Sequence, residues 1–386
     1  MVLKVARRGR IDPFIVMEVM RAAAERAASG ADVVHLEVGQ PSTPAPRKVL
    51  EAAKAALEKE LIGYTLALGI PELRARISRH YKEFYGADVP AERIVVTTGS
   101  SGGFLLAFLT AFEPGDRVAL ASPGYPCYRN ILTALGIEPV IAPMEADTKY
   151  QPTVAALEQV QRETGKHLDG LIVASPSNPV GAIVPDAEMR ALASYCRQRS
   201  IRFISDEIYH GITYGVDAVT AASIDDQAIV VNSFSKYFSM TGWRLGWLVV
   251  PEDLLQPIER LAQNLFISPP TLSQHAGIAA FDAHDECQAN VRRYATNREL
   301  LLNDLPAAGF DKLVATDGAF YIYADVARLT NDSVEFCRRM LSETGVAATP
   351  GVDFDGQRGR ATMRFSFAGS TEDMAEAVKR LRAWRR

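Results

Sequence analysis

From Ile94 onward the chain carries short apolar runs set apart by helix-length segments: Ile94-Val-Val-Thr, Val118-Ala-Leu, Leu171-Ile-Val, Phe203-Ile, Ile229-Val-Val and Gly246-Trp-Leu-Val-Val. None of these runs alternates polar with apolar, so each reads as a strand buried on both faces. Strands of that kind, spaced by helices, predict an α/β unit with a mostly parallel sheet covered on both sides. Ahead of it, Asp12-Pro13 offers an N-cap and a first helical residue for a helix that stops near Gly30. A second helix opens at Pro71 and ends by Gly86, with Arg and Lys on its outer face.

After about Ala289 the rhythm changes. A long polar helix is followed by a strand pattern at Ala319-Phe-Tyr-Ile-Tyr, a helix from about Ser333, a strand at Thr362-Met-Arg-Phe-Ser-Phe and a terminal helix rich in Arg, which together predict an α+β unit. Proline-containing loops at Pro41 to Pro46 and at Pro269-Pro270 read as connections. A chain of 386 residues exceeds what one hydrophobic core usually organises, so two domains are expected.

Composition narrows the classes. With 48% hydrophobic and 23% charged residues the chain reads as globular, and a net charge of -4 supplies no basic field for nucleic acid. No apolar run is long enough to span a bilayer, and the first ten residues lead into no signal-type apolar core, so a cytoplasmic protein without a membrane partner is expected. Cys127, Cys196, Cys287 and Cys337 lie far apart, which fits reduced packing thiols. The stretch Asp282 to Cys287 holds metal-type side chains, but no second cluster completes a site; it reads as a solvated polar turn, and no metal is expected.

The chemistry concentrates in Ser233-Phe-Ser235-Lys236 and, further on, Gly242-Trp-Arg244, directly after a buried run. A lysine that condenses with an aldehyde must shed its proton, and burial near a cation such as Arg244 favours that state. Hydroxyls and a guanidinium nearby make a phosphate cradle. The bland reading is a polar loop with a surface lysine. Upstream, the strand at Ile94 runs into Gly99-Ser100-Ser101-Gly102-Gly103 and then an apolar helix beginning at Phe104. That loop reads either as a phosphate seat at a helix N-terminus or as a flexible linker. Tyr125 follows another strand and could equally be a core aromatic, while Tyr128 reads as packing. Asp206 closes a buried strand, where a carboxylate either caps a turn or faces a ligand.

Ser-x-Ser-Lys with an arginine eight residues on resembles the cofactor-lysine signature of the class I and II aminotransferases. The resemblance implies pyridoxal 5'-phosphate as cofactor, held by Lys236 as a Schiff base, with its phosphate on Ser100, Ser101, Ser233 and Arg244. It further implies that Tyr125 stacks on the pyridine ring, that Asp206 faces the ring nitrogen, and that Asn178 and Tyr209 bond the phenolic oxygen. Lys236, Asp206 and Tyr209 would then be the catalytic groups. On the substrate side, Gly39, Asn178 and Arg364 resemble the residues around the amino acid carboxylate. Tyr64 resembles a tyrosine that reaches the phosphate of the neighbouring subunit. Val180 stands where the family usually has Thr.

The fold implied is the aspartate-aminotransferase type (fold type I), with a seven-stranded sheet in a large domain at residues 41–288. Residues 1–40 and 289–386 would form the small domain, and the enzyme would be a homodimer with shared active sites. The function implied is transfer of an amino group between an L-amino acid and a 2-oxo acid, with an apolar or aromatic donor favoured. Carbon-sulfur β-elimination on the same scaffold is the nearest alternative. A non-catalytic sensor fused to a DNA-binding module is disfavoured, since no segment ahead of the core looks basic enough.

Overall fold

The computed structural model describes residues 3–384. Its central sheet has seven strands in the order Ile94–Thr97, Gly246–Val249, Ile229–Ser233, Arg202–Asp206, Gly170–Ala174, Arg117–Ser122 and Glu138–Pro143. Six run in one direction; Gly246–Val249 is antiparallel to both of its neighbours. All the apolar runs lie in this sheet. The edge strand Glu138–Pro143 has no counterpart among the expected runs, because Pro139 and Pro143 interrupt its pattern. Proline is tolerated there, since an edge strand leaves one row of N–H groups unpaired anyway. Helices Gly99–Ala111 and Glu252–Leu265 pack on one face with Phe104, Phe108, Leu254 and Ile258 buried, and Trp247, Tyr81 and Phe234 fill the other.

A second, antiparallel sheet joins Thr349–Pro350, Thr362–Ser366, Tyr321–Asp325 and Lys312–Leu313 in that order. Its register sets Arg364 opposite both Tyr323 and Thr349. Val34–His35 pairs in parallel with Val346–Ala347, and the amide of Ser366 donates to the carbonyl of Leu36, so the segment near residue 36 is laid against this smaller sheet.

Three local expectations change. The first helix spans Ile15–Ala28, and Asp12 does not cap it. Pro13 biases the residue before it to extended backbone, and the free N–H groups of Ile15 and Val16 donate instead to the carboxylate of Asp353, at 3.1 and 3.2 Å. The glycines at 99–103 do not precede their helix but form its first turns, within Gly99–Ala111. Helix Pro71–Tyr85 does end at Gly86, yet Arg76 on it is buried rather than outward. Its guanidinium lies 4.9 Å from the Phe281 ring and pairs with Glu83 and Asp282 at 3.2 and 3.1 Å.

Arg76 thus contributes mainly through its stem and the plane of its guanidinium, since both carboxylates are half exposed to water. Arg76→Ala should lower unfolding stability by about 1–3 kcal/mol, and Arg76→Met, which keeps the stem, should regain most of that. Urea midpoints at constant m-value check this; equal losses in the two variants would mean that the ion pairs carry the effect.

Candidate active site

The parallel strands end on one edge of the large sheet, the usual place for a ligand in an open α/β sheet. There Asp206 is the last residue of its strand, Lys236 follows the strand that closes at Ser233, and Gly99 follows the strand that closes at Thr97. A cavity of about 320 Å³ opens at this edge, and the smaller sheet closes it with Tyr321 and Arg364.

Asp206 is buried; one carboxylate oxygen accepts the Tyr128 hydroxyl and the other the amide of Ile208 at 3.1 Å. Burial pushes its carboxyl up to about 6, against the lowering effect of those two hydrogen bonds and of Lys236. The neighbouring Glu207 turns away from the cavity and accepts from Ala221 N and Ser205 Oγ at 2.7 and 3.0 Å. Lys236 is half-buried, its ammonium donating to the carbonyl of Gly39 and lying 5.9 Å from the Tyr209 ring centroid. Burial, helped by the positive charges of Arg364 and Arg244, draws its pKa down to about 8.

The Arg364 guanidinium is held on every side. Nη1 donates to Asn178 Oδ1 at 2.8 Å, Nη2 to the carbonyl of Glu37 at 2.6 Å, and its central carbon lies 4.2 Å from the Tyr321 ring centroid and 4.8 Å from that of Phe354. Its Nε is buried and carries no partner. The Tyr209 and Tyr321 hydroxyls bond each other at 2.7 Å. Gly39 lies so close to Tyr321 that a Cβ there would stand 2.0 Å from the tyrosine oxygen. On the other wall, Ser100, Ser101, Ser235, Thr241 and Arg244 surround the start of helix Gly99–Ala111. A Cβ on Gly99 would lie 2.5 Å from Arg244 Nη2, so only glycine lets the guanidinium rest against this helix end.

The cavity therefore brings together Gly39, Ser100, Ser101, Tyr125, Asn178, Asp206, Tyr209, Lys236, Arg244 and Arg364. Ser233 is not one of its walls: its hydroxyl is engaged by Ser235 Oγ at 2.8 Å and the Leu245 carbonyl at 3.0 Å, and Ser235 faces the cavity in its place. Asn178 Oδ1 accepts from Arg364, which leaves its Nδ2 as the group with hydrogens to donate into the cavity. Tyr64 lies outside, 88% exposed. Tyr128 packs against Phe104 and Tyr125 as expected, and in addition its hydroxyl donates to Asp206, a role signalled only by its place one helical turn beyond Tyr125. Tyr321 and the apolar group Phe14, Val16, Met17 and Met20 also line the cavity. Around Asp282 to Cys287 the side chains are dispersed onto Arg76, Arg47 and Tyr237, and among the described residues no metal-type cluster occurs.

The family model for aminotransferase class I and II matches residues 31–381. The chain belongs to that family. The aminotransferase is 50% identical over 385 residues to a valine–pyruvate aminotransferase of Mycobacterium tuberculosis, covering 99% of this chain and 98% of that protein. It is similar to the crystal structure of an aminotransferase from the same organism, at a TM-score of 0.96 and 50% identity with 99% of each chain covered. Aspartate aminotransferase from Thermus thermophilus with maleate aligns at a TM-score of 0.90 and 29% identity, covering 99% of this chain and 100% of that one. The chain is a pyridoxal-phosphate-dependent aminotransferase that moves an amino group between an amino acid and a 2-oxo acid.

A charge buried at the cavity floor has a cost that can be measured on the cofactor-free aminotransferase. Asp206 titrates near 3.8 when unfolded and near 6 when folded, so between these values the folded chain holds a proton that the unfolded chain has released. Stability therefore falls as pH rises through that window. Asp206→Asn should be more stable than the parent above pH 6 by about 2–3 kcal/mol, a difference that shrinks toward zero by about pH 4. Urea unfolding across pH reads it, and a pH-independent difference would show that Asp206 is not desolvated.

Proposed function

We propose that this aminotransferase uses an apolar L-amino acid, valine or one of similar shape, as donor and pyruvate as acceptor. The observation that carries this reading is the apolar wall of Phe14, Val16, Met17 and Met20 lining the same cavity as Arg364. Among the described residues the cations lining that cavity are Lys236, Arg244 and Arg364, so none of them is left over for a second substrate carboxylate. The substrates named for the 50% identical relative agree.

The residues fit the cofactor. Lys236 would hold its aldehyde, Asp206 would face the ring nitrogen and Tyr125 the ring plane, with Tyr209 near the phenolic oxygen. Ser100, Ser101, Ser235 and Arg244 would hold the phosphate at the helix N-terminus. When bound, pyridoxal phosphate supplies a carbonyl for the donor amine and a ring that accepts electrons from the substrate's α-carbon. The protein does the rest. Lys236, with a pKa drawn toward 8, is able to take and return the α-proton near neutral pH. Asp206, anionic above about 6, stabilises a positive charge opposite it. Arg364, braced by Asn178 and Glu37, lines the cavity with its guanidinium and so would orient the donor carboxylate.

We further infer a homodimer with shared sites. Leu57, Leu61, Tyr64 and Leu66 stand exposed along one short segment, an apolar surface of the kind that a second subunit covers. Tyr64 from that partner would reach the phosphate wall. With residues 41–288 as one lobe and 1–40 with 289–386 as the other, the cofactor would lie between the two. A cytoplasmic enzyme is inferred from its four free cysteines.

A donor panel with pyruvate and with 2-oxoglutarate, following both 2-oxo acid and ammonia, tests the reaction. Valine should exceed aspartate in kcat/KM by at least about tenfold, with no ammonia released; aspartate matching valine would overturn the apolar-donor reading. Mixing tests the sharing. A Lys236→Ala chain co-refolded with a chain silenced at Tyr64 should regain activity, because one site of each mixed dimer carries neither defect. Mixed dimers without activity would place Tyr64 with its own subunit.

A further inference from the structure

The apolar wall of the cavity rests on a helix that does not cap itself. Helix Ile15–Ala28 begins after Phe14, and no side chain at its N-cap accepts the first N–H groups. Those amides face protein rather than water, where an unpartnered donor is costly. Asp353 meets them from the far end of the chain: its Oδ1 accepts from Ile15 and its Oδ2 from Val16, with Asp353 itself fully buried. A carboxylate at this position is also favoured by the helix dipole.

The turn that carries Asp353 is tied to the rest of the site. Its carbonyl accepts from Arg129 Nη2 at 3.0 Å, and the next carbonyl, that of Phe354, accepts from the amide of Gly124 at 3.0 Å, directly before Tyr125. The Phe354 ring in turn flanks Arg364. One short turn thus touches the carboxylate clamp, the loop that carries Tyr125 and the first turn of the helix over the cavity. The helix's further turns are held otherwise, through Val19 and Ala23 against Leu341 and Ala347 and through Arg26 on the Ser342 carbonyl. Its first turn depends on Asp353 and on the edge-to-face contact of Phe14 with Tyr125, at 5.9 Å.

We propose that Asp353 is a positioning residue for donor selection, fastening Phe14, Val16, Met17 and Met20 where they pack on the donor side chain. The proposal rests on the apolar-donor reading. With Asp353 removed, two helix amides lose their acceptor, the first turn opens, and the wall recedes from a large side chain while Arg364 and Lys236 stay in place. A donor as small as alanine barely touches that wall and loses little.

The holoenzyme carrying Asp353→Ala is compared with Asp353→Asn, which retains one acceptor oxygen. In the Ala variant the ratio of kcat/KM for valine over alanine should fall by about tenfold, chiefly through KM for valine, with the Asn variant between it and the parent. Hydrogen exchange should quicken at the amides of Ile15 and Val16 and not beyond residue 20. A ratio unchanged in both variants, or valine and alanine falling together, overturns the proposal. So does unchanged exchange at those two amides. A parent enzyme that uses valine and alanine alike overturns the apolar-donor reading itself and the selectivity role with it. Exchange then still reports separately whether Asp353 holds the turn. Should Asp353→Ala fail to fold, the Asn variant carries the same comparison.

Discussion

An acid and an amine must be kept together in a pocket with little water, and much of this protein is arranged around that constraint. Asp206 resists ionisation and Lys236 resists protonation because each is desolvated at the end of a buried strand or just beyond it. Neither shift is free. A carboxylate away from water needs donors, and Tyr128 and the Ile208 amide supply them. The result is a site whose charged groups sit near the pH at which they exchange protons, the condition general acid–base chemistry requires. Destabilising groups of this kind persist where function needs them.

The second constraint is that the groups around Arg364 come from opposite ends of the chain. Arg364 lies on the small antiparallel sheet, yet it is braced by Asn178, just beyond a strand of the large sheet, and by the Glu37 carbonyl from the N-terminal segment. The Tyr321 and Phe354 rings lie against the guanidinium and limit its movement, so a carboxylate bound there would be held in a restricted orientation. The parallel pairing of Val34–His35 with Val346–Ala347 makes this possible, since it lays the segment carrying Glu37 and Gly39 beside the smaller sheet. Lys236 then finds the Gly39 carbonyl, so the clamp and the amine share a backbone support.

Helix Ile15–Ala28 illustrates how local and long-range rules compete. Asp12-Pro13 is a sound start signal by composition, but the chain stays extended there and the amides turn to a carboxylate 338 residues away. Arg76 follows the same logic: helical periodicity alone would place a guanidinium outward, and the Phe281 ring draws it in. Ser233 and Ser235 differ only in which way a strand end points, and the hydroxyl that the Leu245 carbonyl engages is the one lost to the cavity. Tyr128 gave no sign beyond its spacing, because nothing local to it indicates that Asp206 lies within reach of its hydroxyl.

The order of buried strands and helices and the lysine after Ser233 were legible in the amino-acid sequence, since each depends on side-chain period or on residues adjacent in the chain, whereas the glycines at 99–103 were legible only as a turn and not as the helix's own first turns. Six of the seven large-sheet strands could be placed in this way, and the proline-broken edge strand could not. The family resemblance carried the naming of Asp206, Tyr209, Arg244 and Arg364, which the fold then assembled around one cavity. Only the tertiary structure decided that Ser235 replaces Ser233 on the wall, that Asn178 turns its oxygen to Arg364, that Tyr128 serves Asp206, and that Asp353 starts the first helix. Each of those is a hydrogen bond between groups far apart in the chain or a choice between two neighbouring side chains. Such bonds depend on distance and direction in space, which no local pattern of residues encodes.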